Sequence, residues 1–439
     1  MPRDPRYQKG NGPGTGRVIA RACLITLLAV VCLVGGWALG SVKPLPVVVD
    51  LVNGGESSSA AQSSQAQPSS EPEASSQAAS SSPASSEPEE PKTPGIPDDE
   101  GIFSAYYERA YQKAKSMTTA DLVGQVFIFR CPTEGAVKLI DDCQPGGYCL
   151  MADFFEGKTK ETVPETLSSF QNSSRTPMFF CCDEEGGTVV RISRFSQYAS
   201  QKFESPQQVY ARAQLDSVVI DTRDKAQLLK SLGLNLNLAP VADISTNPSD
   251  FIYDRSLGQD AQTTADYIRV CVETYQENGL ACTLKHFPGY GNNGDTHTGL
   301  VYDKRPMETF ETSDFLPFRA GIEAGAQFVL VSHNVVECMD PDAPASLSPK
   351  VHEILRDELG FTGLVMTDDL IMDAITDFTG GKSPAVTAFL AGNDILLSSD
   401  PRTDYQALLS AVESGEVPQD RLMESVVRIL AAKYAMGLL

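Results

Sequence analysis

From residue 126 onward, short apolar runs alternate with longer stretches in which apolar positions recur every three or four residues. The runs are 126–130, 148–152, 178–183, 234–240, 281–286, 328–333, 364–368 and 395–398. Several are continuous β-branched or aromatic runs, the pattern of strands buried on both faces. Between them, 263–278, 312–324 and 348–359 read as amphipathic helices, and Asn278-Gly279 supplies a stop signal for the first. Eight such strands alternating with helices predict an α/β fold of the (β/α)8 barrel type. A doubly wound open sheet is the alternative. It brings a Gly-rich phosphate turn after an early strand, and no G-x-G-x-x-G occurs here.

The first hundred residues follow different patterns. Arg3, Arg6, Lys9, Arg17 and Arg21 form a basic stretch, 1–21, that precedes an uncharged apolar run at 22–40. A helix of that length spans about 28 Å, the thickness of a bilayer's hydrocarbon core. The basic flank predicts a cytosolic N-terminus. The run reads as a transmembrane signal anchor, or as a signal peptide cleaved at the small-x-small site Ala38-Leu39-Gly40. Either way the remainder is expected outside the cytoplasm, membrane-anchored in the first case and secreted in the second. Residues 41–100 are dominated by Ser, Ala, Gln, Pro and Glu and are expected to form a disordered linker. Residues 101–439 form the expected barrel domain.

Net charge is −22, of which residues 101–439 carry −18. An acidic domain repels phosphate backbones, which argues against a nucleic-acid partner. Ten cysteines are present without a C-x-x-C pair, so no metal site is expected. Most fall in apolar runs and read as buried thiols, with Cys143 and Cys149 the candidate pair for one bridge.

In a barrel, polar side chains at the C-terminal ends of strands face the functional site. That rule selects Asp183, Glu185, Asp243, Lys285, His286, His333, Asp368 and Asp369. The densest segment is Lys285-His286-Phe287-Pro288-Gly289-Tyr290-Gly291-Asn292-Asn293-Gly294-Asp295-Thr296-His297, in which four of thirteen residues are Gly or Pro. Asp295 beside His297 suits general acid/base work, because a carboxylate fixes the imidazole's tautomer. At Asp368-Asp369 strand alternation admits only one inward carboxylate, leaving the other to cap the next helix. His352, in a helical run, reads as a surface residue.

These segments resemble glycoside hydrolase family 3, in its single-barrel β-N-acetylhexosaminidase branch. The resemblance rests on blocks in the same order. They run from Met117-Thr118-Thr119-Ala120-Asp121-Leu122 through D-x-E-G-G-x-V-x-R at Asp183–Arg191, R-S-x-G from Arg255 and K-H-F-P-G from Lys285, to D-T-H at 295–297 and T-D-D-L from Thr367. It implies a (β/α)8 barrel with Asp368 as catalytic nucleophile, His297 as acid/base and Asp295 as its dyad partner. It implies substrate contacts by Asp183, Arg191, Arg255, Lys285 and His286, and no cofactor. Glu185, Asp369 and His333 then fall to supporting roles. Two departures are Tyr290, where the family usually has His, and an interval before Asp295 that is one residue shorter.

The function implied is a retaining exo-β-N-acetylglucosaminidase acting on terminal β-linked N-acetylglucosamine of peptidoglycan fragments or related amino-sugar glycans, as a monomer. Alternatives are a β-glucosidase, a phosphate-using β-N-acetylglucosaminide phosphorylase, and a tethered sugar-binding protein without turnover. An aldolase-like barrel using Lys285 as a Schiff-base lysine is the remaining option.

Overall fold

The computed structural model describes residues 93–380 and 383–439. The basic N-terminus, the span at 22–40 and the linker up to residue 92 lie outside them. Among the described residues no helix is long and apolar enough to cross a membrane.

Eight parallel strands form one sheet. They are β1 (Phe127–Arg130), β2 (Gly147–Cys149), β3 (Phe179–Cys182), β4 (Leu236–Asn237), β5 (Ala281–Phe287), β6 (Phe328–Val331), β7 (Leu364–Thr367) and β8 (Leu396–Ser398). Each pairs with its sequence neighbour, and β8 returns to β1. The gap between β7 and β8 is bridged at Met366 and Ile395, where Thr367 N–H donates to Ile395 O at 3.1 Å. This near-closed ring with helices outside it fits a (β/α)8 barrel, and every predicted strand coincides with an observed one. Inside it, Phe179 and Phe328 meet edge to face at 5.5 Å, filling the ring with packed side chains.

The predicted helices form with altered detail. The first runs Ala261–Glu277, capped by Asp260, whose side chain accepts from Thr263 N–H, and is closed by Asn278 and by Gly279 at φ +64°. The second and third each contain one wide turn, Phe310–Asp314 and Ile354–Glu358, in place of a regular α-helix. The helix Gln419–Ala435 sends Lys433 beneath the ring, where its Nζ meets Gln125 Oε1 at 2.8 Å and Gly146 O at 3.2 Å. The N-terminal end of the barrel is thereby closed, and the C-terminal end is left for chemistry.

Three sequence expectations need correction. Residues 93–100, placed in the linker by composition, are seated on the barrel. Asp99 bonds Arg428 at 3.0 Å and Tyr107 at 2.6 Å, and Ile96 packs against the apolar core. Cys143 and Cys149 are both free thiols, each enclosed by its own apolar neighbours. His352 is buried, its Nδ1 placed 2.8 Å from Ser348 O within its own helix.

Candidate active site

A cavity of about 760 Å³ opens at the C-terminal end of the ring. Asp183, Arg191, Arg255, Lys285, His286, Asp295, His297 and Asp368 all line it, so segments distant in sequence converge on one volume.

Its floor is an ion network. Lys285 Nζ, on β5, contacts Asp183 Oδ1 at 2.8 Å and Glu185 Oε1 at 2.6 Å. Arg255 reaches Glu185 through two nitrogens, at 2.9 and 2.8 Å. Arg191 holds the other oxygen of Asp183 at 3.1 Å. Burial pushes Asp183 and Glu185 toward neutrality, but the cations win. Lys285 and Arg191 hold Asp183 well below the usual carboxylate range, and Arg255 and Lys285 pull Glu185 down to about 2. Burial likewise opposes the Lys285 charge and is outweighed by Asp183 and Glu185, which raise its value. The network is therefore ionised, and its hydrogen-bonding directions are set before any sugar enters.

The loop after β3 folds to place these groups. The buried carboxylate of Glu184 accepts the N–H groups of Arg191, Ile192 and Ser193 at 2.8–3.1 Å. That turn brings Arg191 back over Asp183. Gly186 sits at φ +104° with its α-carbon against Glu204 O, a place no side chain fits.

Lys285 and His286 are consecutive, and strand alternation would send them to opposite faces. The pairing of β5 with β6 slips between Lys285 and Phe287, and both side chains line the cavity. His286 is held by Asp243 Oδ2 at 2.7 Å on one nitrogen and by Arg255 at 3.0 Å on the other.

Asp368 follows β7. Its N–H donates to Val331 O at 3.1 Å, and its Oδ1 accepts Asp369 N–H at 2.8 Å. Burial works against the anion. The imidazoles of His333 and His286 and the Asp369 N–H work for it, and its value falls below the ordinary one. Burial lowers the value of His333 in turn, with the Asp368 carboxylate opposing the shift. Asp369 departs from the expected helix cap. It takes Ser399 N–H at 3.0 Å and the Ser399 hydroxyl, tying the ends of β7 and β8, while the next helix begins only at Asp373.

The dyad sits on the loop between β5 and β6. Asp295 Oδ1 accepts His297 N–H at 2.9 Å and faces its Nδ1 at 2.7 Å, capping the single turn Thr296–Thr298. Nδ1 being occupied, Nε2 is the nitrogen left for proton exchange. The side chain of His297 is 58% exposed, within reach of an entering ligand. Thr296, between the two, is buried and shares a hydrogen bond with the Tyr290 hydroxyl.

The strand-end rule selects Asp243 without giving it a task and Glu185 in the supporting part it plays toward Lys285 and Arg255, while Tyr290 and Thr296 receive no role from the sequence. The task of Asp243 is holding His286 and the Tyr290 N–H. The pairing of Tyr290 with Thr296 had no signal in the sequence, since it depends on how the loop closes. Among the described residues, no group of three or more His, Cys, Asp or Glu side chains is placed to hold a metal ion.

The chain matches the Glycosyl hydrolase family 3 N terminal domain over residues 109–432. A β-hexosaminidase of Xanthomonas oryzae pv. oryzae is 33% identical over 260 residues, covering 57% of this chain and 75% of that protein. One from Xanthomonas campestris pv. campestris is 34% identical over 268 residues, covering 60% and 79%. A solved glycoside hydrolase family 3 β-N-acetylglucosaminidase from Paenibacillus sp. str. FPU-7 superposes with a TM-score of 0.69 at 30% identity, covering 73% of this chain and 63% of that longer one. The β-N-acetylhexosaminidase of Beutenbergia cavernae gives a TM-score of 0.64 at 27% identity, covering 72% of this chain and 99% of that one. The matched stretch takes in all eight strands and every residue of the cavity described above, and the chain belongs to glycosyl hydrolase family 3.

Proposed function

We propose that the chain is a retaining exo-β-N-acetylglucosaminidase. The observation that carries this reading is the Asp295–His297 pair, 2.7 Å apart, lining the same cavity as the half-buried, ionised Asp368. The β-hexosaminidase and β-N-acetylglucosaminidase relatives supply the acetamido sugar.

In the first step, a carboxylate oxygen of Asp368 bonds to the anomeric carbon as the glycosidic C–O bond breaks. The proton on His297 Nε2 goes to the departing oxygen. In the second, water gives its proton back to Nε2, its oxygen bonds to the anomeric carbon, and Asp368 leaves as the carboxylate. Asp183, Arg191, Arg255, Lys285 and His286 hold the sugar's hydroxyl and acetamido groups. Asp295 keeps the Nδ1 proton of His297 fixed, so that only Nε2 exchanges.

We read the substrate as terminal β-linked N-acetylglucosamine on peptidoglycan fragments or related glycans. The domain works as a monomer outside the cytoplasm, held at the membrane by the segment at 22–40. The support is the basic flank, the apolar run and the Ser/Pro/Glu-rich linker in the sequence.

The test is turnover of 4-nitrophenyl β-N-acetylglucosaminide beside the matching glucoside, each with and without inorganic phosphate. Release from the acetamido sugar alone, indifferent to phosphate, is the expected result. Preference for the glucoside, or a sugar phosphate as product, overturns it.

A further inference from the structure

Tyr290 is the point at which the sugar-binding floor meets the dyad loop. Its backbone N–H donates to Asp243 Oδ1 at 2.7 Å, while Asp243 Oδ2 holds His286. Its ring stands edge-on to the His286 imidazole, 5.1 Å between centroids at 85°. Its carbonyl accepts Asn293 Nδ2 at 2.8 Å, bracing the loop from within. Its hydroxyl bonds the hydroxyl of Thr296. Tyr290 and Thr296 are both buried, whereas the side chains of Asp295 and His297 on either side of Thr296 are 30% and 58% exposed. The turn therefore hangs over the cavity from a buried hydroxyl pair, and its two functional side chains are free to meet a ligand.

We propose that Tyr290 is a positioning residue, which through its hydroxyl bond to Thr296 sets the height and orientation of the Asp295–His297 turn relative to the His286 and Asp243 floor. The inference rests on His297 being the acid/base. Tyrosine reaches Thr296 from a ring packed on the floor, so the placement of the proton donor is tied to the groups that bind the sugar. A misplacement of about 1 Å between donor and leaving oxygen suffices to lose about 10²-fold in rate.

The test uses the intact protein and the variants Tyr290→Phe, Thr296→Val, Thr296→Ser, His297→Ala and the double variant Tyr290→Phe/Thr296→Val. Substrates are phenyl β-N-acetylglucosaminide, whose departure needs a proton, and the 2,4-dinitrophenyl analogue, whose departure does not. Tyr290→Phe keeps the ring and removes only the hydroxyl. The expected result is a fall in kcat/KM, which reports the glycosylation step, of about 10–100-fold on the phenyl substrate, against a few-fold on the dinitrophenyl one, with the affinity for N-acetylglucosamine little changed. Thr296→Val should match it, the double variant should be no worse than either single one, and Thr296→Ser should recover most of the loss of Thr296→Val. Equal losses on both substrates, or losses that add in the double variant, overturn the proposal. His297→Ala separates the two ways of failing. A leaving-group-dependent loss there, with none in Tyr290→Phe, overturns the positioning role alone. No such dependence in either variant overturns the acid/base assignment and the positioning role with it.

Discussion

His286 Nε2 lies 3.0 Å from a terminal nitrogen of Arg255. Arginine only donates, so the imidazole accepts there and carries its proton on Nδ1, toward Asp243 Oδ2. Asp243 thus receives donors on both oxygens: His286 N–H and Nδ1–H on one, and Tyr290 N–H on the other. Asparagine in its place must turn an NH2 group toward one of those donors. Asp243→Asn is expected to cost about 1.5–3 kcal/mol of stability, as for loss of a buried hydrogen bond to a charged group. It should also raise KM, because His286 loses its fixed tautomer. Chemical denaturation and steady-state kinetics check both, and an unchanged KM would remove His286 from sugar binding.

Asp368 has one oxygen bonded by Asp369 N–H and a value below that of an ordinary aspartate, about 3.9. A carboxylate depressed in this way is the anion at any pH above its ordinary value and loses charge only as the pH falls further. Protonation of the nucleophile therefore cannot produce an acid limb above about pH 4. With the dinitrophenyl substrate, which needs no acid, the rate of the glycosylation burst should stay level from pH 7 to about 5. A burst rate falling with a midpoint near 6 would contradict the charge state assigned to Asp368. Asp368→Ala should lower kcat by about 10⁴–10⁶-fold, as removal of other covalent nucleophiles does, while N-acetylglucosamine still binds by calorimetry.

Glu185 sits between Lys285 and Arg255 with its side chain 1% exposed. Its value, pulled down to about 2 from an unfolded-state value of about 4.3, makes its charge a stabilising one. The contribution is complete above the unfolded value and fades as pH falls through the folded one. It amounts to about 3 kcal/mol at neutral pH. Glu185→Gln should accordingly be much less stable than the parent at pH 6, and the gap should narrow steadily between pH 4 and pH 2. Urea unfolding at several pH values measures it. A gap independent of pH would mean that packing, not charge, accounts for the loss.

The barrel was legible because strands buried on both faces leave continuous apolar runs, and the site was legible because charge at the ends of such runs is costly without a task. Asp183, Lys285 and Asp368 all stand out by that rule. Its limits show at Asp369. Alternation excluded it from the mouth, but β7 ends at Thr367 and alternation ends with it, so both carboxylates reach the cavity. His352 escapes the surface because its Nδ1 turns back on Ser348 O at the start of its own helix, which lets the ring be buried. Residues 93–100 were misread because composition does not reveal that Arg428, over three hundred residues away, awaits Asp99. Tyr290 was visible only as a departure from the family's usual residue.

The loop that carries the dyad is closed at its base by Arg305, and Gly289 decides whether that closure can form. Arg305 donates to Gly289 O at 3.0 Å at the start of the loop and to Asp303 Oδ2 at 2.7 Å at its end. A second nitrogen meets Asp314 Oδ1 at 2.9 Å. Gly289 has φ +124°, and a Cβ there would stand 2.5 Å from that same Asp314 oxygen. Gly289→Ala must therefore adopt a backbone conformation that L-residues rarely take, and must also push Asp314 off Arg305. The backbone strain alone costs about 1–3 kcal/mol. Loss of the clamp should loosen residues 288–303 while the ion network on the floor stays in place. The expected signature is faster amide exchange confined to that loop and a kcat lowered by about 10-fold or more, with the affinity for N-acetylglucosamine little changed. If affinity falls as far as kcat does, the clamp supports the floor as well as the dyad, and the loop and the sugar site form a single mechanical unit.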